Sequence, residues 1–467
     1  FILLSIPVLG ENNCDTTNIK GVSTQKLGKY ISNSPKIIEH LDDIPFPYDN
    51  FKDLDNRIVY YESSRGCPFN CQYCISSTFK GVRYFSLERV KRDLKIFVDA
   101  NVKQVKFIDR TFNAKKEHCL EIMKYLAEID NESINFHFEI TAALVDEEIL
   151  EFLKTIRPGL FQFEIGIQST NVKTRKEIQR NMKLDKIKEI VLKMVENKNI
   201  HIHLDLIAGL PYEDYNTFLK SFDDVYAMQP NKLQLGFLKL LKGSGLRENR
   251  EKYGYVYDDK SPYEVMFNDY ITYDEMLSLK EIEEMIDHFY NSHRTDQSIK
   301  YLLANYYERP SELFIELAKY WNEQGMQHTS HSKDIDYQVL LSFYLDKKYE
   351  NPDFFKELLR YDYLNMYSGK LPKILNEDLD KHFRNRCHEF LKEIDNIDKY
   401  LPQYKGIPAK KIINKVHFQE FAFDILSFID ADSFDKANIK QKNSIVLFDY
   451  DVINRDVVPS KSYTVEL

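Results

Sequence analysis

Between about residue 58 and residue 245 the chain alternates, again and again, between short runs of β-branched and aromatic residues and amphipathic stretches, and few folds can satisfy that pattern. The predicted strands are Ile58 to Glu62, Val102 to Ile108, Ile134 to Thr141, Leu160 to Gln168, Ile200 to Ile207 and Lys232 to Leu238. Between them apolar residues recur at helical spacing. Leu87, Val90, Leu94 and Phe97 follow a Ser86 cap, Cys119, Ile122, Met123 and Leu126 form a second stripe, and Ile149, Leu150 and Leu153 follow Asp146. Two more stripes run through Ile187, Ile190, Val191 and Met194 and through Phe218, Phe222 and Val225. Regular β-then-α alternation means a parallel sheet, either open and doubly wound or curled into a barrel, and periodicity alone does not choose.

The flanks read differently. Residues 1 to about 50 are irregular, and Asp42-Asp43-Ile44-Pro45-Phe46-Pro47-Tyr48 reads as an extended linker because each proline disfavours helix in the residue before it. Beyond residue 250 strand signals fade. Asp274 to Tyr290 and Lys381 to Ile394 read as helices, and Ser444 to Tyr450 as a strand. The expected division is therefore 1–52, a linker and the remnant of a preceding domain; 53–250, the βα core; and 251–467, a mainly helical domain. The opening residue is Phe1 rather than Met, which reads as the cut end of something longer.

Charge and composition remove several functional classes. With 64 Lys+Arg against 73 Asp+Glu the 467 residues carry a net charge of −9, which argues against a protein that holds nucleic acid through a basic surface. A content of 43% hydrophobic residues is enough to build real cores, so global disorder is excluded. No apolar run is long enough to span a bilayer. Phe1-Ile2-Leu3-Leu4-Ser5-Ile6 is apolar but lacks the basic flank and cleavage site of a secretory signal, so a cytoplasmic protein is expected.

Half of the six cysteines fall within eight residues, in Arg65-Gly66-Cys67-Pro68-Phe69-Asn70-Cys71-Gln72-Tyr73-Cys74. Clustered thiols in a long chain with few cysteines indicate metal or redox chemistry in a reducing compartment. Structural zinc wants four ligands, and neither a second C-x2-C nor a nearby His pair completes a set; a zinc loop with a distant fourth ligand is the competing reading. Four irons held by three cysteines leave one iron open to a small molecule with adjacent amine and carboxylate groups. The motif directly follows the first strand, at the end where βα proteins place their chemistry. Cys119 lies on an apolar helical stripe and reads as a buried small residue, and Cys14 and Cys387 are isolated, so no auxiliary cluster is expected.

The C-x3-C-x2-C spacing with an aromatic before the third Cys resembles the signature of radical S-adenosylmethionine (SAM) enzymes. Glu164-Ile165-Gly166-Ile167-Gln168-Ser169 and Asp205-Leu206-Ile207-Ala208-Gly209-Leu210-Pro211 look like strand motifs of the branch that includes oxygen-independent coproporphyrinogen oxidases and methylthiotransferases. The resemblance covers roughly residues 55 to 245. It implies a partial (β/α)6 barrel of TIM type, a [4Fe-4S] cluster on Cys67, Cys71 and Cys74, and S-adenosylmethionine bound to the open iron. Reductive cleavage there would yield a 5′-deoxyadenosyl radical acting on an unknown substrate, with a reductant such as flavodoxin or ferredoxin as partner. Ile44-Pro45-Phe46-Pro47-Tyr48 is similar to the joint that follows the cobalamin domain in the B12-binding radical SAM group, and the C-terminal half looks like an uncharacterised extension found on one branch of it. No Asp-x-His-x-x-Gly occurs, so cobalamin is expected only in a longer parent chain.

Family positions transfer residue by residue. Tyr73 matches the aromatic near the adenine, and Asp109, at the end of the second strand, matches the region that contacts the methionine amino group, although a turn-and-cap role explains it equally. Glu139 and Gln168 would reach the ribose or the amino-acid end from the barrel interior, and Glu164 shares a strand face with Gln168. Arg180 matches a basic position that pairs with the methionine carboxylate. Asp205 precedes Gly209 and Pro211, where small residues let backbone approach the adenine. His137, His201 and His203 read as structural. The C-terminal region is expected to cap the open side of the barrel over substrate. The rival reading is a non-enzymatic iron-sulfur or zinc protein for electron transfer or binding.

Overall fold

The β-branched runs pair as their alternation demands. The computed structural model describes residues 19–26, 28–33, 37–48, 57–78, 81–180, 182–326, 332–368, 370–376, 382–450 and 460–467. A short antiparallel hairpin, β1 (Ser23–Lys26) and β2 (Lys29–Ser32), comes first, where the sequence reads as irregular: four-residue polar strands carry no apolar alternation to reveal them. The expected linker is docked on the barrel. Phe46 and Tyr48 pack on Phe97 with ring centroids 5.6 and 5.4 Å away, and the Tyr48 hydroxyl donates to Tyr60 O (2.7 Å) and accepts from Tyr60 N (3.0 Å). That hydroxyl covers the free edge of the first sheet strand. Cys14 lies outside the described residues.

The barrel follows. Strand β3 (Ile58–Tyr61) leads into a small hairpin, β4 (Ser64–Cys67) and β5 (Gly81–Tyr84), and then into α1 (Leu87–Asp99). From there strands and helices alternate: β6 (Gln104–Phe107), α2 (Lys116–Glu128), β7 (Asn135–Ile140), α3 (Glu147–Lys154) and β8 (Phe161–Gln168). Helices α4 (Val172–Glu177) and α5 (Leu184–Glu196), β9 (His201–Ala208), α6 (Tyr215–Tyr226) and β10 (Lys232–Phe237) complete the series. Ser86 and Asp146 cap α1 and α3 by accepting from Arg89 N (3.2 Å) and Ile149 N (3.1 Å).

The sheet order decides between the two architectures. β3, β6, β7, β8, β9 and β10 lie side by side in chain order, each parallel to the next. A doubly wound sheet reverses its order at a switch point, and this one never does. The first and last strands stay unpaired with each other, so the wall is a partial (β/α)6 barrel. Its convex face is apolar: Phe136, Phe138, Phe161, Phe163, Ile202 and Leu204 are buried against the helices. Its concave face carries Lys106, His137, Glu139, Glu164, His203 and Asp205, at the alternate positions.

The C-terminal half begins with α7 (Gly245–Glu248) and the two-stranded β11 (Val256–Tyr257) and β12 (Val265–Phe267). Helix α8 (Tyr273–Ile286) runs into one π turn at Asp287–Asn291, followed by α9 (Asp296–Tyr306), α10 (Pro310–Glu323), α11 (Asp334–Asp346), α12 (Pro352–Met366) and α13 (Phe383–Phe390). The expected strand near residue 444 is the middle of an antiparallel sheet, β13 (Val416–Phe421), β14 (Ser444–Asp449) and β15 (Lys461–Val465), whose outer strands the sequence hid; Lys381, the expected start of a helix, lies outside the described residues.

This half packs on the side of the barrel. Phe314 meets Phe222 at 5.8 Å, Ser311 donates its N–H and hydroxyl to Asp223 (both 2.8 Å), and Asn291 pairs with both backbone groups of Leu233 on the edge strand β10 (2.9 Å each). One buried apolar core runs through both halves. No helix among the described residues is long and apolar enough to cross a membrane.

Candidate functional site

The three clustered thiols ride on the β4–β5 hairpin, which local sequence did not announce. Cys67 ends β4, opposite Gly81, and Cys71 and Cys74 sit in the connecting loop, where Cys74 N donates to Cys71 O (3.1 Å). Gly66 adopts φ +113°, open to glycine alone, and a Cβ there would lie 2.1 Å from Gly81 O. Straps hold the loop from two directions. Gln72 N donates to Ile178 O (3.0 Å), Leu246 N donates to Gln72 O (2.9 Å), and Asn70 Nδ2 donates to Gln179 Oε1 (2.6 Å). Among the described residues no three Cys, His, Asp or Glu side chains converge on one metal ion. Thiolates sharing a zinc must approach within ~4 Å of one another, whereas those of a cluster bind separate irons and stand further apart.

A cavity of about 200 Å³ opens beside this loop. Cys67, Cys71, Cys74 and Tyr73 line it together with Glu139, Glu164, Gln168, Arg180 and Asp205. Asp109 is placed elsewhere. It is fully buried, and its carboxylate accepts from Ser63 N (2.9 Å), Ser63 Oγ (2.7 Å) and Ser64 Oγ (2.6 Å), so it fixes the start of the cysteine hairpin. Burial, offset in part by those donors, pushes its pKa up to about 6. Among the wall residues that sequence reasoning passed over are Arg110, Thr111 and Thr141; Thr111 Oγ1 lies 3.5 Å from Cys67 Sγ. Among the described residues the wall comes from residues between 67 and 205, and the C-terminal region covers the β10 edge.

Charges on the concave face are sorted by their partners. Glu164 accepts from Lys106 Nζ (3.0 Å) and lies 3.0 Å from His137 Nε2; hydrogen bonding to His137, then to Lys106, holds its pKa down at about 2. Asp205 is pushed up to about 7, first by burial and then by Glu164 and Glu139. Burial and Glu164 raise Glu139 in the same way. Gln162 Nε2 lies 2.9 Å from His203 Nε2, and burial depresses the His203 pKa to about 3. That histidine is therefore a neutral acceptor. Arg180 donates through Nη1 to Tyr73 OH (3.1 Å) and Cys71 Sγ (3.5 Å) and through Nη2 to Gly166 O. Gly166 makes room for this arrangement: a Cβ would lie 2.0 Å from Gln168 Nε2 and 3.3 Å from Arg180 Nη2.

Beneath Gln168, at φ +70° beside a bulge in β8, a buried carboxylate braces the strand end. Glu213 accepts from Ser169 Oγ (2.6 Å) and Ser221 Oγ (2.8 Å), and burial, against those two bonds, pushes its pKa from 4.5 up to about 7. A raised carboxyl binds its proton more tightly in the folded chain than in the unfolded one. Its stabilising effect is complete below pH 4.5 and is lost as pH rises to about 7. Glu213→Gln removes that dependence. The wild type should lose up to about 3 kcal/mol relative to the variant between pH 4.5 and 7, read from urea unfolding across that range. Parallel pH profiles for the two proteins would contradict this.

Three polar atoms at the cavity are buried without a protein partner: Gln168 Oε1, Arg180 Nε and Asp205 Oδ1. Buried polar groups in native proteins are almost always paired, so this convergence beside three thiols fits a polar ligand next to a cluster. The family comparison agrees: residues 61–225 match the model of the radical SAM superfamily. Residues 61–225 are a radical SAM domain. Downstream of the radical SAM domain, residues 251–448 match the family described as protein of unknown function (DUF4080).

Relatives of the radical SAM domain include an uncharacterized methyltransferase, PH0819, of Pyrococcus horikoshii, 27% identical over 207 residues, which are 42% of this chain and 44% of that protein. A second is the cobalamin-dependent radical SAM methyltransferase TokK of Streptomyces tokunonensis, 26% identical over 228 residues, 44% of this chain and 32% of that protein. The chain thus spans less than half the length of these relatives. In fold it is similar to the cobalamin-dependent S-adenosylmethionine radical enzyme OxsB, with a TM-score of 0.50 at 14% identity over 77% of this chain and 63% of that one.

Proposed function

We propose that this chain is the catalytic part of a radical SAM enzyme, with Cys67, Cys71 and Cys74 as the protein ligands of a [4Fe-4S] cluster. The observation that carries the reading is that one cavity joins those thiols to the unpartnered atoms of Gln168, Arg180 and Asp205. When bound, the cluster supplies the electron that cleaves the sulfonium of S-adenosylmethionine. The chain's own residues position and shield. Asp109 anchors the hairpin, Arg180 ties the loop to β8 through Tyr73, Cys71 and Gly166, and Asp205 and Gln168 present acceptors to the hydroxyl and amine groups of S-adenosylmethionine.

The names of both relatives favour methyl transfer as the reaction class. The Asp-x-His-x-x-Gly motif is missing from this sequence, so cobalamin, where it takes part, is held by a longer parent protein. A small electron carrier such as flavodoxin or ferredoxin is the partner this chemistry needs.

Anaerobic reconstitution tests the proposal. About four irons per chain and release of 5′-deoxyadenosine on reduction with S-adenosylmethionine are expected. A full cluster that yields no nucleoside, or a spectrum that does not respond to S-adenosylmethionine, would support a non-enzymatic iron-sulfur protein instead.

A further inference from the structure

The three clustered thiols do not share one kind of neighbour. Cys74 Sγ accepts from Ser76 N (3.4 Å), and Cys67 Sγ lies 3.5 Å from Thr111 Oγ1, a hydroxyl that also donates to Arg110 O (2.7 Å). These two neighbours are neutral. Cys71, the buried one of the three, instead meets a full charge, with Arg180 Nη1 3.5 Å from its sulfur. The other hydrogen bonds of that guanidinium go to Tyr73 OH (3.1 Å) and Gly166 O, both uncharged, and among the described residues it makes no ion pair with a carboxylate.

The fold fixes the guanidinium in that place. Helix α4 ends at Glu177, Gln179 takes φ +57°, and Arg180 N donates back to Arg175 O (2.8 Å), a tight reversal from which Arg180 joins the cavity wall. Its Nε is buried, so water screens the charge poorly. Reduction adds one electron to an iron-sulfur cluster and makes it more negative, so a cation or a hydrogen-bond donor at a ligand sulfur favours the reduced form. A neutral donor brings only its dipole, whereas a guanidinium brings a whole charge. Of the groups at the three sulfurs, Arg180 therefore has the strongest hold on that electron.

We propose that Arg180 sets the reduction potential of the cluster, its guanidinium stabilising the reduced form through the sulfur of Cys71. The electron comes from a carrier of the flavodoxin or ferredoxin class, which is oxidised by one electron; no bond to the protein forms or breaks. The proposal rests on the radical SAM reading above and gives Arg180 a task that is exerted before S-adenosylmethionine binds.

A redox titration of the cluster-loaded, anaerobic protein, followed by electron paramagnetic resonance without S-adenosylmethionine, tests it. Arg180→Gln should be harder to reduce by about tenfold or more in the one-electron equilibrium, a shift of about 59 mV to more negative potential. Arg180→Lys keeps the charge and should stay closer to wild type, and Thr111→Val, which removes a neutral neighbour, should move the potential less than Arg180→Gln does. Arg180→Gln with a full cluster and an unchanged potential overturns the proposal, as does a shift in Thr111→Val as large as that in Arg180→Gln. Wild-type protein labelled with 15N in its arginine guanidino groups provides a measurement that needs no variant to load iron. In its reduced state pulsed resonance should show a 15N coupling to the cluster, and absence of that coupling overturns the proposal. Failure of the underlying reading is seen separately, as wild-type protein without a cluster or without a spectral response to S-adenosylmethionine.

Discussion

Replacing any one of Cys67, Cys71 or Cys74 with alanine is expected to cut the iron retained after anaerobic reconstitution from about four per chain to well under one, and to abolish 5′-deoxyadenosine release. A cluster with three protein thiolates has none to spare, and no other thiol among the described residues lines the cavity. Cys119 is the control. It is fully buried in the helical layer, its thiol donates to Lys116 O (3.2 Å), and burial pushes its pKa up to about 12, so Cys119→Ala should keep its iron. Iron content and nucleoside yield, measured on the four variants side by side, decide the matter. Full iron in Cys71→Ala would remove the foundation of the proposed function.

Gly66→Ala should be nearly as damaging without touching a thiol. The residue holds φ +113°, and the new Cβ would meet Gly81 O at 2.1 Å, a backbone atom that cannot swing aside. Backbone strain of about 1–3 kcal/mol adds to about 1–3 kcal/mol of overlap, and the four-residue strands of this hairpin have little else to lose. The expected outcome is a broken β4–β5 register and loss of most of the iron, with the far-ultraviolet circular dichroism of the barrel retained. Gly245→Ala provides the contrast. Its Cβ would lie 2.0 Å from Gln72 Oε1, the far end of a flexible side chain that can rotate away, so a cost under about 1 kcal/mol and a normal cluster are expected. Equal iron in Gly66→Ala and Gly245→Ala would show that the hairpin tolerates what its geometry forbids.

The strands of the barrel were legible because apolar residues at every second position, such as Phe161, Phe163, Ile165 and Ile167, are a local signal of a half-buried strand. The same parity placed Glu139, Glu164, Gln168 and Asp205 on the wall of one cavity. Parity fails just past a strand end. Beyond Phe107 the alternation continues for Asp109 and Arg110 but not for Thr111: Asp109, read as a cofactor contact, turns away to Ser63 and Ser64 while Arg110 and Thr111 both line the cavity. The hairpin under the cysteines was hidden for a related reason: Ser64–Cys67 and Gly81–Tyr84 hold each other by backbone pairing, with no apolar face to betray them. Nothing local in the C-terminal half said that Asn291 would cover the edge of β10.

By itself the sequence determined the parallel βα wall and the three-thiol loop, since periodicity and spacing are properties of neighbouring residues. Only the tertiary structure decided that Asp109 is a brace, that Arg180 is occupied as a strap and that Arg110 lines the cavity. Which way a side chain turns past a strand end depends on the distant group that satisfies it, and for Asp109 that group lies 46 residues away.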